Sequence, residues 1–246
     1  LGAFLQATVD ELGRTMDVDS LEGMTRFPSF YEPFLRLDQH AEKERRFKTL
    51  GERVPMPDVE YSITEKVDGT NCQVIGWQED SAHQHIVIRS RNELIAYSHD
   101  WLWNAKDGMV TTLQLHIEKV NDCLSHHYPH TLWVLGMELY GPGIGKRGKD
   151  YTELKKARIF SARVFVEKQV KLFQKTPREK YDALRRVNKH VPYLPWSEVS
   201  ALAAECHLPT VPYFGTIRGG ALETPQQAME LLKQYAESVT AREDGG

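Results

Sequence analysis

YSITEKVDGTNCQVIGW, residues 61–77, alternates apolar and polar side chains on both sides of one glycine, Gly69. The alternation predicts two short strands that are interrupted near this glycine. The interruption contains EKVDGTN, residues 65–71, in which a lysine and an acid precede the glycine and two small hydrogen-bonding residues follow it. Such a segment is either a turn at the end of an edge strand or part of a binding pocket in which Lys66 is the nucleophile.

The composition excludes several classes of protein. Of 246 residues, 41% are hydrophobic and 26% are charged, so the chain can bury a substantial core and is not disordered throughout. No apolar run approaches the length that spans a bilayer, and we expect no membrane partner. The three cysteines are scattered, without a Cys-x-x-Cys pair, which favours reduced thiols and a cytoplasmic location.

The overall charge does not indicate nucleic-acid binding, because the formal net charge is −3. Basic residues do cluster locally, for example at Lys146-Arg147-Gly148-Lys149. For any single cluster the usual explanation is a solvated helix or loop face. Such clusters indicate function only if the segments between them carry related chemistry.

Strand patterns dominate the middle of the chain, and helix patterns dominate the flanks. Further strands are predicted at residues 85–92, 131–141 and 157–168. A helical period begins at about Met109, Ser197 is predicted to cap a second helix, and Pro225 is predicted to begin a third. Because strands and helices do not alternate regularly, we predict an α+β fold with largely antiparallel sheets.

The loop GPGIGK, residues 141–146, does not have the pattern of a phosphate loop. A Walker A motif needs a glycine five positions before its Gly-Lys pair and a Ser or Thr after it, but Tyr140 and Arg147 occupy those places. No helical pattern follows at once, so a dinucleotide fingerprint also fails. We predict a glycine-rich turn in which Lys146 and Arg147 contact phosphate or RNA.

Cys123, His126, His127 and His130 are the strongest candidates for metal ligands in the sequence. Their spacing matches no structural zinc pattern, and Cys206 lies on a different predicted element. The sequence therefore assigns no metal ligand within this chain.

Lys66 needs help from its surroundings to act as a nucleophile. A protonated amine has no lone pair, so neighbouring cations, a bound metal or desolvation would have to favour the neutral form before it attacked phosphorus. Asp68 follows two residues later, and Gly69 allows close approach of the backbone. Four residues of the form Lys-x-Asp-Gly recur by chance, so the interpretation depends on further motifs at suitable distances.

Such motifs follow in order along the chain. EKVDGTN resembles motif I of the covalent nucleotidyltransferases, which include ATP-dependent ligases and mRNA capping enzymes, and its Thr-Asn pair is most similar to the RNA ligase 2 family. The later segments that resemble motifs of that family are IRSRN (motif Ia), MELYGPGI (motif III), ARIFSARVF (motif IIIa) and VPYFGTIRGG (the segment ahead of motif IV). The resemblance implies an α+β nucleotidyltransferase domain, the ATP-grasp-like ligase adenylation fold, in which helices flank largely antiparallel sheets.

The resemblance also implies roles for individual residues. Lys66 would attack the α-phosphate of ATP to give a covalent lysyl-AMP. The other implied nucleotide contacts are Glu65 to the adenine edge, Phe160 stacked on the purine, Glu138 to the ribose, Arg91 to ribose or phosphate oxygens, and Asp68, Gly69 and Asn71 near the sugar, the metal or the RNA end. For Phe160 alone, burial in the core is an equally good explanation.

For the reaction, the resemblance implies an ATP-dependent RNA ligase whose partner is RNA with 5′-phosphate and 3′-hydroxyl ends. AMP would pass to the 5′-phosphate, and the 3′-hydroxyl would then seal the strand, with Mg²⁺ or Mn²⁺ offsetting charge on the phosphoryl oxygens. Within the superfamily, the alternatives are a DNA ligase and a capping-type guanylyltransferase, which fit the Thr-Asn pair less well. An alternative of another class is a non-catalytic RNA-binding relative.

For domain organisation, we expect residues 1–55 to form a helical or extended N-terminal segment and residues 56–246 to form the adenylyltransferase domain. The family's motif IV, a Glu-Gly-x-Val strand, and its motif V, a Lys-x-Lys pair, do not occur before the final residues, AREDGG. We therefore expect the natural chain to continue past Gly246 into both motifs.

Overall fold

The computed structural model describes residues 18–26, 58–78, 84–97, 108–129, 131–145, 148–180, 193–221, 225–235 and 237–244. The chain divides into two compact units. The first unit lies within Leu1–Phe27, Lys66–Val211 and Thr240–Gly246, and the second lies within Pro28–Glu65 and Pro212–Val239. The predicted boundary between residues 55 and 56 falls outside the described residues and stays a prediction.

Seven strands are present in the described residues. They are β1 (Glu60–Thr64), β2 (Thr70–Gln78), β3 (Gln84–Ser90), β4 (Leu94–Tyr97), β5 (Thr131–Tyr140), β6 (Lys156–Val166) and β7 (Tyr213–Arg218). Five of them form an antiparallel sheet in the order β4-β3-β2-β5-β6, and β1 pairs with β7 in a two-stranded antiparallel sheet. The predicted fold class is confirmed, and the two strands on either side of Gly69 belong to different sheets.

Six α-helices accompany the sheets in the same part of the chain. They are α1 (Val18–Thr25), α2 (Met109–His127), α3 (Glu167–Gln174), α4 (Trp196–Glu205), α5 (Pro225–Lys233) and α6 (Val239–Asp244).

Helices α2 and α5 begin at the predicted residues. The prediction that Ser197 caps α4 is wrong, because the Pro195 carbonyl already accepts the Val199 N–H at 3.1 Å and the helix begins at Trp196. No described helix has the length and apolar composition needed to cross a bilayer.

The strand predicted at residues 157–168 ends two residues early. β6 stops at Val166, and Glu167 begins α3. The side-chain oxygen of Gln169 accepts the Val166 N–H at 2.9 Å and so caps the first turn of the helix. The boundary was not predicted because Glu167 and Lys168 follow the strand without a glycine or proline to mark its end.

The five-stranded sheet is covered by helices on both faces. Helices α2 and α4 pack on one face, and α1 and α3 pack on the other. Alternate residues of β5 therefore enter two different hydrophobic clusters: Leu135 and Met137 pack toward α2 and α4, whereas Leu132 and Val134 pack toward α1 and α3. Burial on both faces explains why β5 is apolar along most of its length.

Two buried arginines of the sheet hold the end of α1. Arg89 of β3 and Arg163 of β6 are each only 1% exposed. Arg89 Nη1 donates to the Glu22 carbonyl at 2.9 Å, and Arg163 Nη2 donates to the Thr25 carbonyl at 2.7 Å. Carbonyls in the last turn of a helix lack partners within the helix and carry partial negative charge. The guanidinium groups therefore satisfy this helix end while they remain buried.

In the second unit, the β1–β7 sheet is supported by side chains of the segments that follow it. Phe214 of β7 stacks on Tyr235, with ring centroids 4.3 Å apart and an interplanar angle of 11°. Arg218 at the end of β7 pairs with Asp58 at 3.2 Å on the exposed surface. The Glu65 N–H donates to the Pro212 carbonyl at 2.9 Å, so the segments before and after the two strands are also bonded.

Substitution of Arg163 tests how much the buried arginines contribute to stability. Arg163→Met keeps part of the apolar stem but removes the donor to the Thr25 carbonyl and to the Gln73 side-chain oxygen. We expect the free energy of unfolding to fall by about 2–4 kcal/mol, measured by urea denaturation. Arg218→Met is the matched control on an exposed pair and should change it by less than about 1 kcal/mol. Equal losses in the two variants would contradict a specific role for Arg163.

Candidate nucleotide-binding site

Gly69 lies directly against the end of β5. A β-carbon added at Gly69 would lie 2.2 Å from the Leu139 carbonyl oxygen and 3.0 Å from Glu138 Cγ. The Gly69 N–H also donates a hydrogen bond to the Glu138 carboxylate. Only a residue without a side chain can bring the backbone this close. Gly69 therefore holds the segment that carries Lys66 against the strand that carries Glu138.

Glu138 is the carboxylate around which the predicted residues gather. It is half-buried on β5, opposite Asn71 of β2 in the strand register. Burial raises the pKa of Glu138 to about 7, whereas the charge of Lys66, the Gly69 hydrogen bond and the charge of Arg91 act to lower that pKa. Desolvation thus outweighs two nearby cations. The structure therefore brings residues of the EKVDGTN segment together with Arg91 and Glu138, which lie in other predicted motifs.

Asp68 lies between two other parts of the first unit. Its backbone N–H donates to the Tyr151 hydroxyl at 3.1 Å. A β-carbon added at Gly145 would lie 3.6 Å from Asp68 Oδ1, so the end of the glycine-rich turn is next to this carboxylate. Lys146 and Arg147, which follow in the turn, lie outside the described residues. Their predicted contact with phosphate or RNA stays a prediction.

Phe160 occupies a bulge in β6. The β5–β6 register pairs Gly136 with Ser161 and Met137 with Ile159, which leaves Phe160 as the extra residue. Its ring is half-buried and packs against a cluster that includes Val67, the neighbour of Lys66. The ring therefore lies near the EKVDGTN segment without being enclosed in the main core.

Lys66 and Arg91 are both exposed. Arg91 follows directly after the last residue of β3, and its charge acts on Glu138. The same IRSRN segment contains Arg89, which is buried and bonded to α1. The two arginines of this segment therefore differ in position: Arg89 supports the end of α1, whereas the charge of Arg91 acts on the site carboxylate.

Glu65 belongs to the second unit. Its carboxylate accepts hydrogen bonds from the Ser238 hydroxyl and the Val239 N–H, at the start of α6. Sequence reasoning did not anticipate these partners, which lie more than 170 residues away in the chain. The predicted contact between Glu65 and adenine stays a prediction.

Two further residues that position the site, Gln73 and Tyr151, were not predicted from the sequence. Gln73 donates from Nε2 to Asn71 Oδ1 at 3.3 Å, and it accepts from Arg163 Nη2 at 2.9 Å. The Tyr151 hydroxyl accepts a hydrogen bond from the Asp68 N–H. Gln73 is fully buried in an otherwise apolar stretch of β2, and a buried polar side chain requires a partner. That signal could have identified Gln73, whereas nothing in the sequence distinguishes Tyr151.

The arrangement suits a polar, phosphorylated ligand. Exposed cationic groups at Lys66 and Arg91 can meet phosphate oxygens, and the carboxylates of Asp68 and Glu138 can accept hydrogen bonds or bind a divalent cation through oxygen. The primary amine of Lys66 is also a nucleophile when it is unprotonated.

Comparison with known proteins identifies a family. The family described as RNA ligase matches this chain over residues 59–243, which is most of its length. The match includes every described residue of the candidate site. No curated protein matches the chain in sequence.

Several solved structures are similar to this chain. An archaeal ATP-dependent RNA ligase is 16% identical, and the match covers 85% of this chain and 41% of that one, with a TM-score of 0.46. A Naegleria gruberi RNA ligase mutant with ATP and Mn is 14% identical, with 84% and 48% covered and a TM-score of 0.46. An apo mutant of Naegleria gruberi RNA ligase is also 14% identical, with 82% and 48% covered and a TM-score of 0.48. This chain spans less than half the length of these ligases.

The close contact at Gly69 predicts a large effect of a single methyl group. Gly69→Ala would place a β-carbon against the Leu139 carbonyl, so we expect the free energy of unfolding to fall by at least about 2 kcal/mol. Gly143→Ala is the control: nothing lies within 4 Å of its β-carbon, and the φ of 77° should cost only about 1 kcal/mol. Urea denaturation of both variants measures the difference, and a smaller loss for Gly69→Ala would contradict the contact.

The raised pKa of Glu138 predicts a loss of stability with rising pH. The folded protein holds this proton up to a pKa of about 7, whereas the ordinary pKa of the group is 4.5. Between these values the folded state binds more protons than the unfolded state. The contribution of Glu138 to stability is therefore complete below the lower value and is lost as the pH rises through the higher one.

Glu138→Gln removes this titration. We expect the free energy of unfolding of the unsubstituted protein, relative to the variant, to fall by roughly 2 kcal/mol between about pH 5 and about pH 8. Urea denaturation of both proteins at the two pH values gives the comparison. A difference that does not change with pH would contradict the raised pKa.

Proposed function

The chain belongs to the RNA ligase family, and we propose that it is an ATP-dependent RNA ligase in which Lys66 is the nucleophile. The observation that supports this most strongly is the contact between Gly69 and β5. That contact places the segment of Lys66 and Asp68 beside Glu138, with the charge of Arg91 acting on the same carboxylate. A lysine on an ordinary surface turn does not require such a contact.

The proposed reaction has three phosphoryl transfers. The neutral amine of Lys66 attacks the α-phosphorus of ATP, a nitrogen–phosphorus bond forms, and pyrophosphate leaves as the amine loses a proton. The 5′-phosphate of RNA then attacks the lysyl-AMP phosphorus and releases Lys66. Finally, a 3′-hydroxyl attacks the activated 5′-phosphate, loses its proton and expels AMP. Each transfer forms one bond to phosphorus and breaks another, and the last one leaves a phosphodiester that joins the RNA strand.

The other residues bind and orient the nucleotide in this proposal. The exposed Arg91 meets ribose or phosphate oxygens, and Glu138 accepts a hydrogen bond from a ribose hydroxyl. The half-buried ring of Phe160 stacks on the purine, because the bulge in β6 directs it toward the Lys66 segment rather than into the main core. Asn71 is held by Gln73 next to Glu138, where it can contact the sugar.

A divalent cation fits the same residues. Asp68 and Glu138, whose charges act on each other, would supply the oxygen ligands that Mg²⁺ and Mn²⁺ prefer. When bound, the cation would offset negative charge on the triphosphate. The protein itself contributes the position of the amine, the Gly69 N–H and the two carboxylates.

Labelling with nucleotide tests the proposal directly. The full-length protein is incubated with ATP or GTP labelled at the α-phosphate, and the labelled residue is identified by mass spectrometry. We expect AMP on Lys66, and we expect no label in Lys66→Ala or in Lys66→Arg, which keeps the charge but removes the nucleophilic amine. Lys168→Ala, an exposed lysine of α3, is the control and should keep the label.

The same variants are then tested for sealing of RNA with 5′-phosphate and 3′-hydroxyl ends. Label from GTP in place of ATP would indicate a capping-type enzyme, and sealing of DNA alone would indicate a DNA ligase. Sealing that survives in Lys66→Ala would remove Lys66 from the mechanism. The absence of both label and sealing would indicate a non-catalytic member of the family.

A further inference from the structure

A second group of reactive side chains lies where α2 meets the end of α4. Cys123 and His127 are four residues apart in the last turns of α2, so they project from the same face of the helix. Glu205 is the last residue of α4, and Cys206 follows it. One ligand atom from each of Cys123, His127 and Glu205 lies within 4.8 Å of the other two. The Cys206 and Cys123 thiols are hydrogen-bonded to each other.

We propose that Cys123, His127 and Glu205 bind a zinc ion that links α2 to α4, and that Cys206, which follows Glu205, supplies the fourth ligand after a movement of its side chain. Two sulfurs, one imidazole nitrogen and one carboxylate oxygen are ligand types that zinc takes in proteins, and four ligands complete its tetrahedral shell. Metal–ligand bonds of about 2.0–2.3 Å place tetrahedral ligands about 3.3–3.8 Å apart. The three ligand atoms of Cys123, His127 and Glu205 lie within 4.8 Å of one another, and the 2.6 Å between His127 Nε2 and Glu205 Oε2 must widen to reach that spacing. Cys206 lies outside this group of three, so its side chain has to move toward the ion.

The His127–Glu205 contact also fits this assignment. His127 Nε2 lies 2.6 Å from Glu205 Oε2, which is a hydrogen bond between two groups that would both bind the ion. The ion would replace the shared proton and separate the two atoms. The two side chains are 40% and 53% exposed, so an ion can enter from solvent, whereas Cys206 is buried.

A bound zinc ion would displace the thiol protons of Cys123 and Cys206, and its charge would offset the negative charge of its ligands. Because all four coordination positions come from the protein, the ion would be structural and would leave no position for substrate.

The spacing of these residues in the sequence does not identify a zinc site. Cys123 and His127 supply only two ligands, and His127 is 78 residues from Glu205 in the chain. The fold supplies the missing pair by packing α4 beside α2 on the same face of the sheet. None of these ligands belongs to the candidate nucleotide site, so the proposal can fail or succeed independently of ligase activity.

Metal binding to the full-length protein tests the proposal. The protein is purified with a non-thiol reductant, stripped with a chelator and titrated with Zn²⁺ against a chromophoric indicator. We expect one zinc per chain, with affinity reduced at least about 100-fold in Cys123→Ser and in His127→Ala. His116→Ala, elsewhere on α2, is the matched control and should bind zinc normally.

Cobalt substitution provides a measurement that needs no variant. Co²⁺ in the unsubstituted protein should give intense visible bands of tetrahedral geometry and a near-ultraviolet band from thiolate ligation, and Zn²⁺ should abolish them. The absence of these bands, or zinc binding that is unchanged in Cys123→Ser and His127→Ala, would overturn the proposal. A Cys123–Cys206 disulfide in protein that binds no zinc would also overturn it and would indicate a redox-active thiol pair instead.

Discussion

The backbone contact between Gly69 and the end of β5 determines where the groups of the candidate site meet. The strands on either side of the EKVDGTN segment belong to different sheets, so the segment is not a hairpin and strand pairing does not fix its path. The approach to the Leu139 carbonyl and the hydrogen bond to Glu138 fix the path at Gly69 instead. A side chain at this one position would separate Lys66 and Asp68 from the strand that carries the carboxylate.

The residues behind the site belong to a buried polar network. Asn71 is bonded to Gln73, Gln73 to Arg163, and Arg163 to the Thr25 carbonyl at the end of α1. The position of a polar side chain at the edge of the sheet is thus linked to the packing of a helix on the sheet face. Each of these side chains is hydrogen-bonded to the next member of the network, which lowers the cost of burying polar groups in a core. The network therefore makes the geometry of the site depend on the fold of the first unit.

Sequence reasoning predicted the parts of this structure that depend on local pattern. The alternation of apolar and polar residues predicted most strands. The segments that resemble ligase motifs identified Lys66, Asp68, Arg91 and Glu138, whose charges interact in the structure. The bulge at Phe160 could not be predicted, because a bulge depends on the register with a neighbouring strand. Contacts such as Tyr151 with Asp68 join residues 83 positions apart, and they follow from chain packing that no local pattern encodes.

Exposure distinguishes the arginine that supports the fold from the one that faces the site. Arg89 is buried and its guanidinium is bonded to helix carbonyls, whereas Arg91 is exposed and its charge acts on Glu138. Burial nevertheless raises the pKa of Glu138 more than Arg91 and Lys66 lower it. A carboxyl group in this condition can exchange hydrogen bonds with a neutral hydroxyl group. The exposed cations, by contrast, favour anions, so the two parts of the site correspond to the sugar and the phosphates of the proposed nucleotide.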